Sequence, residues 1–195
     1  MKNEKIVNRC SWVNMKNPLY VQYHDTEWSI PQHRDEKLFE MLILECFQAG
    51  LSWECVLNKR EGFRQAFDDF DAEKISRYDE EKCAQLLADS NIIRNRLKIH
   101  ACVVNSQVFL KIQKEYGSFD NYIWGFTEGK VVLESCDIRS SSPLSDEISK
   151  DLKKRGMKFV GSTVIYAYLQ AIGVLSAHEK VCDCCPPSID FLKTK

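Results

Sequence analysis

The chain has 195 residues, of which 44% are hydrophobic and 28% charged, with a formal net charge of -1. That balance belongs to a folded globular domain and excludes a disordered tail. No apolar run approaches the roughly 20 residues that span a bilayer, and the polar start, residues 1–8, is not a secretory signal, so a cytoplasmic protein is expected.

The pattern in chain order is helical, and the expected fold class is all-α. Asp35 is placed to cap a helix over 36–48 that stops at Gly50. Its second half is apolar almost all round, which predicts burial. A further helix follows Ser52, and 80–89 reads as another, with Cys83, Leu86 and Leu87 at core spacing. A long helix over 96–116 is closed by Gly117. Ser142 and Pro143 form a cap with proline at the first helical position, opening a helix to residue 154. The last clear helix covers 162–172, with Gly173 as its stop. Only 130–133 has the makings of a short strand.

Glu45 is out of place in such a scheme. It stands among Leu44, Cys46 and Phe47 in the buried half of its helix, where an unpaired carboxylate costs several kcal/mol. Pairing with a core cation would explain it; so would a pocket that holds a cationic or hydrogen-bond-donating ligand. Trp12, Tyr20, Tyr23, Trp28 and Trp53 crowd the same end of the chain, including three of its four tryptophans. Singly each ring reads as core. Together with one carboxylate they suit a flat cation, stacking on its faces while the acid fixes its orientation.

The nine cysteines of a cytosolic chain should be mostly reduced. Cys46, Cys55, Cys83, Cys102 and Cys136 read as small buried hydrophobes. Cys10 and His24 at one end, with His178 and a cysteine four residues on at the other, make a Cys2His2 set suited to a structural zinc ion that staples the termini. Cys182, Cys184 and Cys185 compete for the fourth position, and spacing does not choose among them. Cations cluster at Lys59 and Arg60, at Arg94, Arg96 and Lys98, and at Lys150, Lys153, Lys154, Arg155 and Lys158. Each cluster alone reads as a solvated helix face. Residues 91–99 nevertheless join two helices in a way that can aim backbone N–H groups and cations at a phosphate.

Six stretches in this order resemble the DNA-3-methyladenine glycosylase I family over residues 9–187: Arg9-Cys-Ser-Trp, Tyr20-Val-Gln-Tyr-His-Asp-Thr-Glu-Trp, Lys37-Leu-Phe-Glu-Met-Leu-Ile-Leu-Glu, Gln48-Ala-Gly-Leu-Ser-Trp, Ile92-Ile-Arg-Asn-Arg-Leu-Lys-Ile and Leu152-Lys-Lys-Arg-Gly-Met-Lys-Phe-Val-Gly. The resemblance implies a single helix-hairpin-helix glycosylase domain over 1–195. Its central region would run from about 35 to 160, with the hairpin at 91–98. The terminal segments, 9–34 and 161–187, would be joined by one zinc ion on Cys10, His24, His178 and Cys182. It further implies that Glu45 contacts the excised base, that Trp12, Tyr20, Tyr23, Trp28 and Trp53 line the pocket, and that Ile92, Arg94, Arg96 and Lys98 grip the DNA backbone. Leu51, on the turn after the Glu45 helix, reads either as a wedge into the gap left by the flipped base or as a core residue.

The implied reaction is hydrolysis of the N-glycosidic bond of 3-methyladenine. The lesion must leave the stack before a pocket can hold it. Methylation makes the base cationic and a good leaving group, so water suffices as nucleophile; no lysine attacks and no strand is cut. The expected partners are double-stranded DNA carrying alkylated purines and, as product, free 3-methyladenine, with no membrane; the expected unit is a monomer. Three positions depart from the family: Cys46, Ser29 and Asn91 each stand where it has glycine. Cys46 narrows the pocket floor or fills core space, and Asn91 is tolerated if the turn needs left-handed angles. A non-catalytic reader of damaged DNA and a zinc-stapled helical interaction domain fit many of the same residues.

Overall fold

A computed structural model of the chain describes residues 7–133 and 139–185. Cys136, expected in the core, residues 1–6 of the polar start and the last part of the resemblance, 186–187, lie outside the described residues. The helices are α1 (Pro18–Thr26), α2 (Asp35–Gln48), α3 (Trp53–Leu57), α4 (Arg60–Ala66), α5 (Ala72–Ile75), α6 (Glu80–Ala88), α7 (Arg96–Tyr116), α8 (Phe119–Gly125), α9 (Pro143–Arg155) and α10 (Ser162–Ala171). The expected short strand is Val132–Leu133 (β1), and it pairs in parallel with Leu175–Ser176 (β2), which the sequence pattern did not announce. A two-residue ribbon leaves the architecture all-α.

α2 is the central helix. Every residue from Leu38 to Phe47 is buried, and full burial of each large apolar side chain contributes about 1.5–3 kcal/mol. It packs against α7 and α10. Two charged residues interrupt its apolar surface. Glu40 accepts from Arg60 Nε at 2.7 Å, from Lys37 Nζ at 2.8 Å and from Arg64 Nε at 2.9 Å. Burial works against the charge, but these three cations outweigh it and hold the carboxyl below its usual range. Arg60 also donates to Glu27 at 2.6 Å, so this cation belongs to a buried network and not to the solvated face expected of it. The other charged residue, Glu45, has no such partners.

Several expected caps are present. Ser142 and Ser145 form a reciprocal capping box on α9, and Gly117 closes α7 at φ 84°. Asp35 differs from expectation. α2 begins at Asp35 itself, and its carboxylate accepts from the backbone N–H groups of Phe119 and Asp120, both at 2.8 Å, at the start of α8. A carboxylate at a helix N-terminus is favourable, and here it serves the neighbouring helix. Gly173 does more than stop α10: a Cβ on it would lie 2.4 Å from the Ile30 backbone, so the terminal segments meet where no other residue fits.

Candidate active site

Four helices and the two segments flanking α1 place the pocket. α1 carries Tyr20 and Tyr23, α2 carries Glu45 and Gln48, α3 carries Trp53, α10 carries Ala167 and Gln170, and the segments flanking α1 carry Trp12 and Trp28. These residues line a cavity of about 220 Å3. All five aromatic residues expected there are brought together. Tyr23 and Trp53 lie 5.1 Å apart between ring centroids, Trp12 and Tyr20 5.5 Å, and Trp12 and Trp28 4.8 Å. Gln48, Ala167 and Gln170 were missed by the sequence reading. Gln48 was within reach of it, lying one helical turn after Glu45 on the same face.

Glu45 is 4% exposed, and its Oε2 has no hydrogen-bond partner. Burial alone pushes its carboxyl up to about 8. The Trp53 indole N–H is the matching case of a buried donor without a partner. Buried polar groups are nearly always satisfied, so an unpaired acceptor and an unpaired donor on one cavity point to a ligand that supplies both. The cavity can therefore hold a flat heterocycle between rings and read its edge at Glu45 and Trp53.

Cys46 does not line this cavity. It is buried on the other side of α2, where Asn105 Nδ2 lies 3.7 Å from its sulfur and the Lys158 carbonyl 3.8 Å away. The cysteine fills core space and leaves the pocket floor alone. Ser29 sits at φ 63°, a left-handed position that explains why glycine suits it. Asn91 has no positive φ; its place depends on Gly62, whose added Cβ would meet the Asn91 carbonyl at 2.6 Å.

The turn between α6 and α7 presents part of the expected DNA surface. Arg94 and Arg96 are exposed, and Asn95 caps α7 by accepting from the Lys98 N–H at 3.1 Å. Leu51 is 43% exposed and Leu97 72%, so Leu51 is a surface residue on the turn after α2. The Ile92 side chain is buried and anchors the hairpin in the core, so any contact it makes with DNA is through its backbone. One expected contact is corrected. Lys98 is buried, with Nζ donating to the carbonyls of Phe47 at 2.8 Å and Ala49 at 2.6 Å. It satisfies the open C-terminal carbonyls of α2 and complements that helix end, which leaves no ammonium for DNA.

At the joined termini, Cys10, His24, His178 and Cys182 bring one ligand atom each within 4.8 Å of one another. Cys10 Sγ is 3.5 Å from His178 Nδ1, and Cys182 Sγ is 3.5 Å from His24 Nε2 and 3.6 Å from His178 Nδ1. The sulfur–nitrogen edge of a tetrahedral site built with zinc–ligand bond lengths is about 3.6 Å, so the four atoms are spaced to hold a metal ion. Their surroundings fit as well. His24 Nδ1 pairs with Asp25 Oδ1 at 2.8 Å, and Arg9 grips Asp25 through Nε and Nη2 at 2.8 and 2.7 Å. A carboxylate behind a histidine fixes the tautomer in which the other nitrogen ligates. Backbone N–H groups of Glu179 and Cys184 reach the Cys10 and Cys182 sulfurs at 3.4 Å. The clip also touches the pocket, since Trp28 packs on His178 at 4.7 Å and Trp12 on His24 at 5.3 Å.

A helical domain with a hairpin between two helices, an unpaired buried carboxyl among rings and a cysteine–histidine clip is the arrangement of the helix-hairpin-helix glycosylase fold. A model of the methyladenine glycosylase family matches residues 12–185, and the chain belongs to that family. It is 41% identical to DNA-3-methyladenine glycosylase 1 of Escherichia coli strain K12, over 92% of this chain and 98% of that protein. Among solved structures, a crystal structure of 3-methyladenine DNA glycosylase I superposes with a TM-score of 0.88 at 43% identity, covering 92% of this chain and all of the other. A variant of 3-methyladenine DNA glycosylase I in complex with 3-methyladenine superposes with a TM-score of 0.87 at 35% identity, covering 92% and 98%. Among the described residues no helix is long and apolar enough to cross a membrane.

Proposed function

We propose that the chain is a monofunctional DNA glycosylase that hydrolyses the N-glycosidic bond of 3-methyladenine in alkylated double-stranded DNA, releasing the free base and leaving an abasic site for base excision repair. The observation that carries this reading is the partnerless Glu45 Oε2 in a ring-lined cavity of a chain in the methyladenine glycosylase family. A neutral adenine leaves the cost of burying that carboxylate unrelieved. A 3-methyladenine nucleotide is cationic, stacks on Tyr23 and Trp53, and draws the Glu45 proton away by stabilising the carboxylate. Selection therefore follows charge. The departing base is already a good leaving group, so water attacks the sugar carbon without a strong general base.

Arg94 and Arg96 hold the backbone, and Leu51 enters the gap left by the flipped nucleotide. One zinc ion on Cys10, His24, His178 and Cys182 fills all four of its positions and serves structure alone. It joins the segments that carry Trp12 and Trp28. The protein acts in the cytoplasm as a monomer folded as one domain. Incubation with methylated duplex, followed by mass spectrometry of the released purines, tests the proposal. Free 3-methyladenine over intact abasic strands is the expected product; no released base, or nicked strands, contradicts it.

A further inference from the structure

Next to the base pocket lies a second cavity of about 190 Å3, bounded by Gly50 and Leu51 on one side and by Thr163 and Val164 of α10 on the other. The two cavities share Glu45, Gln48 and Ala167. Glu45, whose Oε2 has no partner, thus stands in the wall between them.

The backbone beside this second cavity is held in advance. Residues 156–161 lead from α9 into α10. Asn105 brackets Lys158 there, accepting from its N–H at 2.8 Å and donating to its carbonyl at 3.0 Å. Ser149 donates to the Val160 carbonyl at 2.7 Å. Phe159 is kept at φ 56°, a conformation that a bulky residue adopts only when its surroundings impose it. The Ser162 hydroxyl is tied to Ser145 and Asp146. Gly161 offers no side-chain cap to the ten-residue helix that follows, so the N–H groups of its first turn, where Thr163 and Val164 line the cavity, are open to an acceptor. The Lys158 side chain is exposed, four residues before that turn in sequence.

We propose that the second cavity receives the deoxyribose of the flipped nucleotide and that its phosphodiester rests on the first turn of α10 beside Lys158. The inference rests on the glycosylase reading above. With the base among the rings and the sugar beyond Glu45, the bond to be cut crosses the wall where the carboxyl stands. A phosphodiester is an anion, which a helix N-terminus and a lysine both favour. The arrangement also gives Lys158, a member of the third basic cluster, a place on DNA separate from the hairpin.

Two exposed positions test it. Thr163→Trp fills the second cavity from its rim, and Lys158→Gln removes the cation. Each full-length variant is titrated with a duplex carrying a tetrahydrofuran abasic analogue, across a series of salt concentrations, and with free 3-methyladenine. Thr163→Trp should weaken duplex binding at least tenfold while free-base affinity stays within twofold. Lys158→Gln should reduce the slope of log affinity against log salt by about 0.9, the value of one lost phosphate contact. Unchanged duplex binding in Thr163→Trp, loss of free-base binding in that variant, or a wild-type slope in Lys158→Gln overturns the inference. A wild-type protein that releases no base contradicts the glycosylase reading instead, because the variants are scored only against wild-type binding.

Discussion

Replacing Glu45 with glutamine should stabilise the fold, and the gain should depend on pH. The carboxyl moves from an ordinary value of 4.5 to about 8 because burial disfavours its charge. A group whose folded pKa is raised contributes stability that is complete below its unfolded value. That contribution is lost as pH rises through the folded value. Below about 4.5 the carboxyl is protonated in both states. Between 4.5 and 8 only the unfolded chain ionises, and stability falls by about 1.36 kcal/mol per pH unit. The full span corresponds to at most about 5 kcal/mol. Glutamine keeps the size and the hydrogen-bonding capacity and removes the ionisation. Urea unfolding of both proteins, loaded with the same metal, is to be measured from pH 5 to 9. The pH dependence of the metal clip cancels in the difference. The two should have similar stability near pH 5, and the variant should lead by several kcal/mol at pH 8.5. A difference that stays constant across the range would refute the claim that Glu45 is buried without a partner.

Lys98→Met leaves the Phe47 and Ala49 carbonyls without their donor and should cost about 2–3 kcal/mol in chemical denaturation. A DNA-contact role would instead leave stability unchanged and lower the salt dependence of binding. Asp25→Asn breaks the pairing with both His24 and Arg9; chelator competition should show metal affinity reduced 10–100-fold, and wild-type affinity would mean that Asp25 does not orient the histidine. Trp53→Phe removes the unpaired indole N–H and keeps a ring, so calorimetry should find free 3-methyladenine bound about tenfold more weakly, the loss of one hydrogen bond. Equal affinity would exclude that donor from base recognition.

Long or well-punctuated elements were legible in the sequence. α7 was legible because Gly117 marks its end, and α9 was visible in the Ser142–Pro143 start. The same signal stood at Asn17 and Pro18, where Asn17 caps α1 by accepting from Leu19 N–H. Nine residues with mixed polarity did not make it stand out. α4, α5 and α8 span four to seven residues, too few turns for a period to show.

In the site, Glu45 was conspicuous because a charge inside an apolar run has few explanations. Cys10, His24 and His178 were visible as a ligand set, while the choice of Cys182 came only from the family resemblance. Lys98 shows where such reasoning stops. Arg94, Arg96 and Lys98 look alike in a row of basic residues, and only the end of α2, some fifty positions away in sequence, decides that one of them turns inward. Asn91 makes the same point from the other side, because its fit depends on Gly62 in α4.

The most direct test of the central claim is single-turnover release of 3-methyladenine from methylated duplex by wild type and Glu45→Gln, with the released base quantified by mass spectrometry and folding checked by circular dichroism. The account predicts a folded variant that still holds metal and releases the base more than tenfold more slowly, because the charge that selects the lesion is gone. Wild-type release by the folded variant would contradict it and remove Glu45 from the mechanism.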